Sequence, residues 1–154
     1  TPWSVALHES RYLYLVLLAI HVITLFVFIG SIIVQALRLM GLSFTSVPVS
    51  ELLATMRPWS LAGFVAMAVT GSLLFFAAPA EKYLNVFFRI KLLLILLALL
   101  NVAVFHRYLN PQIGGWDTAA FPPTGARFVG AISLVLWAGV ITAGRMIPYQ
   151  DYWF

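Results

Sequence analysis

The sequence has no cysteine and few charges of either sign. Without cysteine there are no disulfides, no thiolate metal sites, no iron–sulfur clusters and no cysteine nucleophile. Charged residues make up 9% of 154 residues, against roughly 25% in soluble domains. That is too little polar surface to clothe a water-soluble globule. Acidic residues are the scarcest: there are five Asp/Glu, and none lies inside a long apolar run. A carboxylate proton relay or an intramembrane cation site therefore has no ligands. A glycine-rich phosphate loop, CxxCH and HExxH are also absent. No nucleophile and base pair points to hydrolysis.

What is present is apolar. Hydrophobic residues reach 62% and the mean hydropathy is +0.99. Runs of about 20 apolar residues mark membrane spans, and four are predicted, at 12–40, 58–78, 83–109 and 127–147. The first run is too long for a signal-peptide core and reads as a span. The expected fold class is all-α, an integral membrane four-helix transmembrane bundle, with 1–154 forming a single transmembrane domain. Gly41 ends the first helix, Pro58 opens the second, and Asn110-Pro111 stops the third. Residues 50–57 read as a short amphipathic turn in the interface, with Ser50 as N-cap. The 79–82 segment reads as a tight turn. Trp3 and the tail Tyr152-Trp153-Phe154 belong at headgroup level.

Four spans place both termini on one side, side A. Arg38, Arg57, Arg107 and Arg127 flank the spans on side B, whereas only Arg11 and Lys82 stand at clear side-A boundaries. The positive-inside rule makes side B cytoplasmic and both termini periplasmic. The expected location is a bacterial inner membrane. The net charge of +4 then faces anionic lipid; no nucleic-acid partner is expected.

The side-B arginines also serve as a depth ruler. His21, Lys91 and Arg145 lie 17, 16 and 18 residues from Arg38, Arg107 and Arg127 respectively. At 1.5 Å per residue, they fall about 24–27 Å from side B, in one layer. A titratable group at such depth is a functional candidate. His106 belongs at side B beside Arg107, and His8 lies about 20 Å before His21 along a helix. No two histidines share a depth, which argues against a bis-histidine haem and against a histidine-rich copper or zinc site. His21, Thr24, Phe28, Ser31, Gln35 and Arg38 follow a 3-4 spacing on one helical face, which is expected to point into the bundle. Lys91, Ala98, Asn101 and Phe105 share a side of the third helix, as do Gly130, Ser133, Trp137 and Gly144 in the fourth.

The bland reading of His21 is a hydrogen bond across helices. For Arg89 and Lys91 it is snorkelling to side A, and for Arg145 a helix cap. The functional reading is that His21 ligates a haem and that the neighbouring cations pair with its propionates.

The segments His21-Val-Ile, Phe28-Ile-Gly30, Arg38-Leu, Thr70-Gly71, Phe88-Arg89-Ile90-Lys91-Leu92-Leu93-Leu94 and Val104-Phe105-His106-Arg107 resemble HemJ-type proteins. These are oxygen-independent, haem-binding protoporphyrinogen oxidases. The segments are more loosely similar to the membrane domain of CopD-type copper proteins. The stretches TPWSVALHES, VFFRIKLLLILLALLNVAVFHR and LVLWAGVITAGRMI are more closely similar to an uncharacterised family of small bacterial four-helix membrane proteins. The HemJ-type resemblance implies a haem b held between His21 and Lys91.

The expected function is therefore haem b binding, with electron transfer to quinone or to a partner redox protein. His21 would be an axial ligand, Lys91 the opposite one, and Arg89 and Arg145 would neutralise the propionates. The alternatives are a cofactor-free membrane anchor or scaffold subunit of a larger complex, and HemJ-like porphyrinogen oxidation. Other membrane subunits or a second copy are expected partners beside the lipid bilayer. Copper transport ranks last, because Met40, Met56, Met67 and Met146 are scattered in depth.

Overall fold

The fold is known from a computed structural model, which describes residues 11–77 and 79–153. The readings of His8, Trp3 and Phe154 lie outside the described residues. Among the described residues five α-helices are found: α1 (Arg11–Met40), α2 (Val49–Ala77), α3 (Pro79–Leu84), α4 (Val86–Val104) and α5 (Thr124–Met146). No strand occurs among the described residues. Four helical stretches are long and apolar enough to cross a membrane: Tyr12–Met40, Val49–Ala77, Val86–Gly115 and Thr124–Tyr152. Their outer faces carry exposed Leu15, Phe26, Leu61, Leu93, Leu100 and Val135, the surface a bilayer covers.

Three boundaries differ from the sequence reading, each for a physical reason. Residues 50–57 are the first turns of α2, and Pro58 sits inside that helix. Ser50 is not the N-cap. Asp117, from the distant loop, holds the helix start instead. Its carbonyl accepts from Val49 N–H at 2.9 Å, and its carboxylate accepts from Ser50 N–H and Oγ–H, both at 2.7 Å. A negative charge at a helix N-terminus also complements the macrodipole. The 79–84 turn is a short helix, and Asn85 restarts the chain as N-cap of α4, its side chain accepting from Phe88 N–H at 3.1 Å. Helix α5 begins at Thr124, because Pro123 supplies a carbonyl to the N–H groups of Ala126 and Arg127.

Helix α1 packs on α2 and on α5, and α5 packs on α4, whereas α2 and α4 make no sustained backbone contact. The close pairs meet at glycines. A Cβ on Gly63 would lie 2.9 Å from Phe28 Cβ, and one on Gly130 would lie 2.9 Å from the Ala36 carbonyl. The central core is Phe28, Ala98, Trp137 and Val140, with Phe28 edge-on to Trp137 at 4.6 Å. A second cluster, Leu39, Val49, Phe105, Ile113 and Ala126, fills the side-B end. There the chain leaves α4 through a π-helical turn (Phe105–Leu109) and a 3-10 turn (Asn110–Gly115).

Candidate functional site

The polar face of α1 turns toward its neighbours. Ser31 Oγ lies 3.0 Å from Ser60 Oγ, and Gln35 Nε2 donates to Ser60 Oγ at 2.7 Å. Thr24 bonds back to carbonyls of its own helix. Arg38, at the end of the stripe, is fully buried. Its Nε donates to the Val47 carbonyl at 2.8 Å, and one terminal nitrogen donates to the carbonyls of Asp117 and Ala119, both at 3.2 Å. Arg38 is therefore the post around which both side-B loops fold. Gly41, in the left-handed region at φ 72°, lets the chain pass within contact of Ala120.

His21 opens the stripe at the other end. Its Nδ1 lies 2.7 Å from Thr70 Oγ1 on α2, and Thr70 Oγ1 donates to the Ala66 carbonyl at 2.7 Å. The hydroxyl has one proton, which can go to a carbonyl of its own helix or to Nδ1. In the tautomer whose Nδ1–H donates to Thr70, Nε2 of the neutral ring keeps its lone pair. The neighbouring Gly71 has no side chain to cover the ring, and a Cβ there would stand 3.3 Å from His21 Cε1. Thr70 stands in the sequence reading only within the Thr70-Gly71 segment; its bond to His21 gives it a specific partner.

Lys91, on α4, lies along Gly144 of α5, where an added Cβ would stand 3.6 Å from Nζ and 3.7 Å from Cδ and Cε. The half-buried amine has no hydrogen-bond partner among the described residues. It is close enough to His21 to act on the ring electrostatically. His21, Thr70, Gly71, Lys91 and Gly144 thus gather toward one level of the bundle.

Arg145, assigned to that layer, and Arg89, expected beside it, both rest on tyrosines. Arg89 is exposed; its Nε donates to the Tyr83 carbonyl at 2.8 Å and its guanidinium lies over the Tyr83 ring at 5.2 Å. Arg145 is also exposed and lies over Tyr149 at 5.5 Å. Both are side-A surface cations. His106 is exposed at side B beside Phe105. No group of three or more His, Asp or Glu suited to a metal ion occurs among the described residues.

Above the layer, at side A, a cleft of about 760 Å³ is lined by Tyr14, Ala77, Lys82, Asn85, Ile147 and Gln150, among others. Lys82 Nζ donates to the Leu74 carbonyl and lies over the Tyr14 ring at 5.6 Å. Burial pulls this amine below its ordinary pKa, against an opposing effect from Glu81.

These features define a bundle of four membrane-length helices with a histidine–threonine pair and an unpartnered lysine inside its side-A half. The chain belongs to a family of unknown function, DUF6644, which matches residues 12–150. No curated protein and no solved structure matches the chain.

Proposed function

We propose that this chain is a multi-pass protein of a bacterial inner membrane that binds haem b and passes electrons between the quinone pool and a partner redox protein. Both termini then face the periplasm. His21, through Nε2, and Lys91, through its amine when deprotonated, would hold the group. One observation carries the reading: the His21 ring, bonded through Nδ1 to Thr70, lies within electrostatic reach of a Lys91 amine that has no hydrogen-bond partner among the described residues. A second residue that fixes the tautomer and orientation of a ligating histidine is the usual support of a metal-bound imidazole.

The residues present suit the group. Imidazole and amine are nitrogen donors of the kind iron accepts, and Gly71 and Gly144 leave both side chains uncovered. A bound haem supplies one-electron chemistry, and its potential is set by ligand identity and burial. The chain's own residues do the rest. Thr70 orients the imidazole, Phe75 and Phe88 keep water from the lipid side, and Arg89 and Arg145 meet the propionates at side A by leaving their tyrosine rings. The resemblance of the His21, Phe88–Leu94 and Val104–Arg107 segments to HemJ-type proteins supports the same pair of ligands.

A cofactor-free anchor subunit is the rival, favoured by the fact that His21 already has a partner across helices in Thr70. Purified protein separates the two. A Soret band lost in His21→Ala supports haem binding. A folded, colourless wild type that co-purifies with a stoichiometric partner supports the anchor.

A further inference from the structure

We propose that the seam between α2 and α4 is a lateral port by which the planar macrocycle reaches His21 and Lys91 from the lipid, with Phe75 and Phe88 as its gate. This inference rests on the haem reading above. The bundle is closed on three sides and open on the fourth. Helices α1 and α2 meet at Gly63, α1 and α5 at Gly130, and α4 and α5 at Gly139, where an added Cβ would stand 2.9, 2.9 and 3.0 Å from its neighbour. Helices α2 and α4 have no such approach. They are bridged by side chains, the stacked rings of Phe75 and Phe88, 5.4 Å apart and inclined by 15°.

Toward the bundle centre, Phe64 of α2 and Ile95 of α4 both pack against the Phe28 cluster. Toward side A stands the Phe75–Phe88 stack. Phe75 is four residues, about one turn, beyond Gly71, and Phe88 is three residues before Lys91. Between Phe64 and Phe75 on α2 lies Gly71, whose added Cβ would stand 3.3 Å from His21 Cε1.

The alternative entrance is the aqueous end, and it is tied shut by polar bonds. Lys82 holds the Leu74 carbonyl. Asn85 Nδ2 donates to the Ile147 carbonyl at 2.9 Å, and Val86 N–H donates to Gln150 Oε1 at 2.6 Å. Neither His21 nor Lys91 lines the side-A cleft. Opening that end breaks hydrogen bonds, whereas parting two phenyl rings into lipid exchanges one apolar contact for another. The stacked pair is also shaped for a flat aromatic guest, which replaces one ring-on-ring contact with another.

The absence of cysteine makes a direct test available. Phe75→Cys/Phe88→Cys is bridged with a short bifunctional thiosulfonate reagent in apo-protein reconstituted in lipid nanodiscs. Haem is then supplied from the bilayer, and growth of the Soret band is followed. Bridging is expected to abolish uptake, and reducing the bridge to restore it. A control bridge between α5 and the end of the third span, Leu109→Cys/Gly125→Cys, should leave uptake unchanged. Phe75→Trp, which enlarges the gate without a crosslink, should slow uptake while the final spectrum stays the same; this variant also serves if the cysteine pair does not fold. Uptake at the wild-type rate in the bridged protein, or in Phe75→Trp, overturns the port and leaves the haem reading standing. A wild type that never develops a Soret band overturns both.

Discussion

Replacing Gly63 by alanine tests how tightly the first two helices are locked. The new Cβ would stand 2.9 Å from Phe28 Cβ, 3.1 Å from its Cα and 3.3 Å from its N. Two of those three atoms are backbone, so no rotamer change relieves the clash. Helix α1 must move away by several tenths of an ångström, carrying Phe28 with it. Phe28 is 3% exposed and touches Trp137 edge-on and Phe64 at 6.0 Å, so the shift loosens the central core. Overpacking of this kind costs about 1–3 kcal/mol. The gain in helix propensity on replacing glycine by alanine returns roughly 1 kcal/mol. A net loss of about 1 kcal/mol, the middle of the range, and at most about 2, is therefore expected. Gly30 is the internal control, because nothing lies within 4 Å of its added Cβ and only the propensity gain remains. Unfolding in mixed micelles, followed by tryptophan fluorescence, should give a lower midpoint for Gly63→Ala and an equal or higher one for Gly30→Ala. Equal midpoints for Gly63→Ala and wild type would refute the close-packed account of this interface.

The other expectations concern polar groups. Arg38→Met strips the carbonyls of Val47, Asp117 and Ala119 of their donor, and at about 1–3 kcal/mol per unsatisfied buried group it should give the largest loss of unfolding midpoint among single variants of the side-B loops. Thr70→Val leaves Nδ1 of His21 without its hydrogen-bond partner; a loss of about 1 kcal/mol is expected in the same assay, with Thr70→Ser restoring it. The Ser50 backbone N–H, followed by the Ser50 hydroxyl, holds the Asp117 carboxyl below its ordinary range. Its folded pKa is thus below the unfolded value of about 3.9, so its stabilisation is complete above that pH and is lost as pH falls through the folded value. Asp117→Asn should lower the midpoint near neutrality and flatten its decline below about pH 4.

Much of this arrangement was legible in one dimension. The first helix was read at 12–40 and runs from Arg11 to Met40, because a long apolar run ending in glycine has one physical solution. The inward direction of the α1 stripe followed from its 3-4 spacing. A shared level for His21 and Lys91 followed from counting residues back from the side-B arginines, which works because helical rise is constant. What was not legible depended on partners distant in sequence. The acceptors of Arg38 lie as far away as Ala119, so it read as a boundary charge and proved to be a buried post. Asp117 caps α2 from the far loop, so the local pattern placed the cap at Ser50 and the helix start at Pro58. The direction taken by Arg145 depended on Tyr149, a neighbour that a depth count cannot weigh.

An absorption spectrum of the purified protein, wild type beside His21→Ala, tests the central claim most directly. The account expects a Soret band that shifts on reduction in the wild type and is lost in a His21→Ala variant that still folds. A colourless, folded wild type purified from haem-replete cells would contradict it.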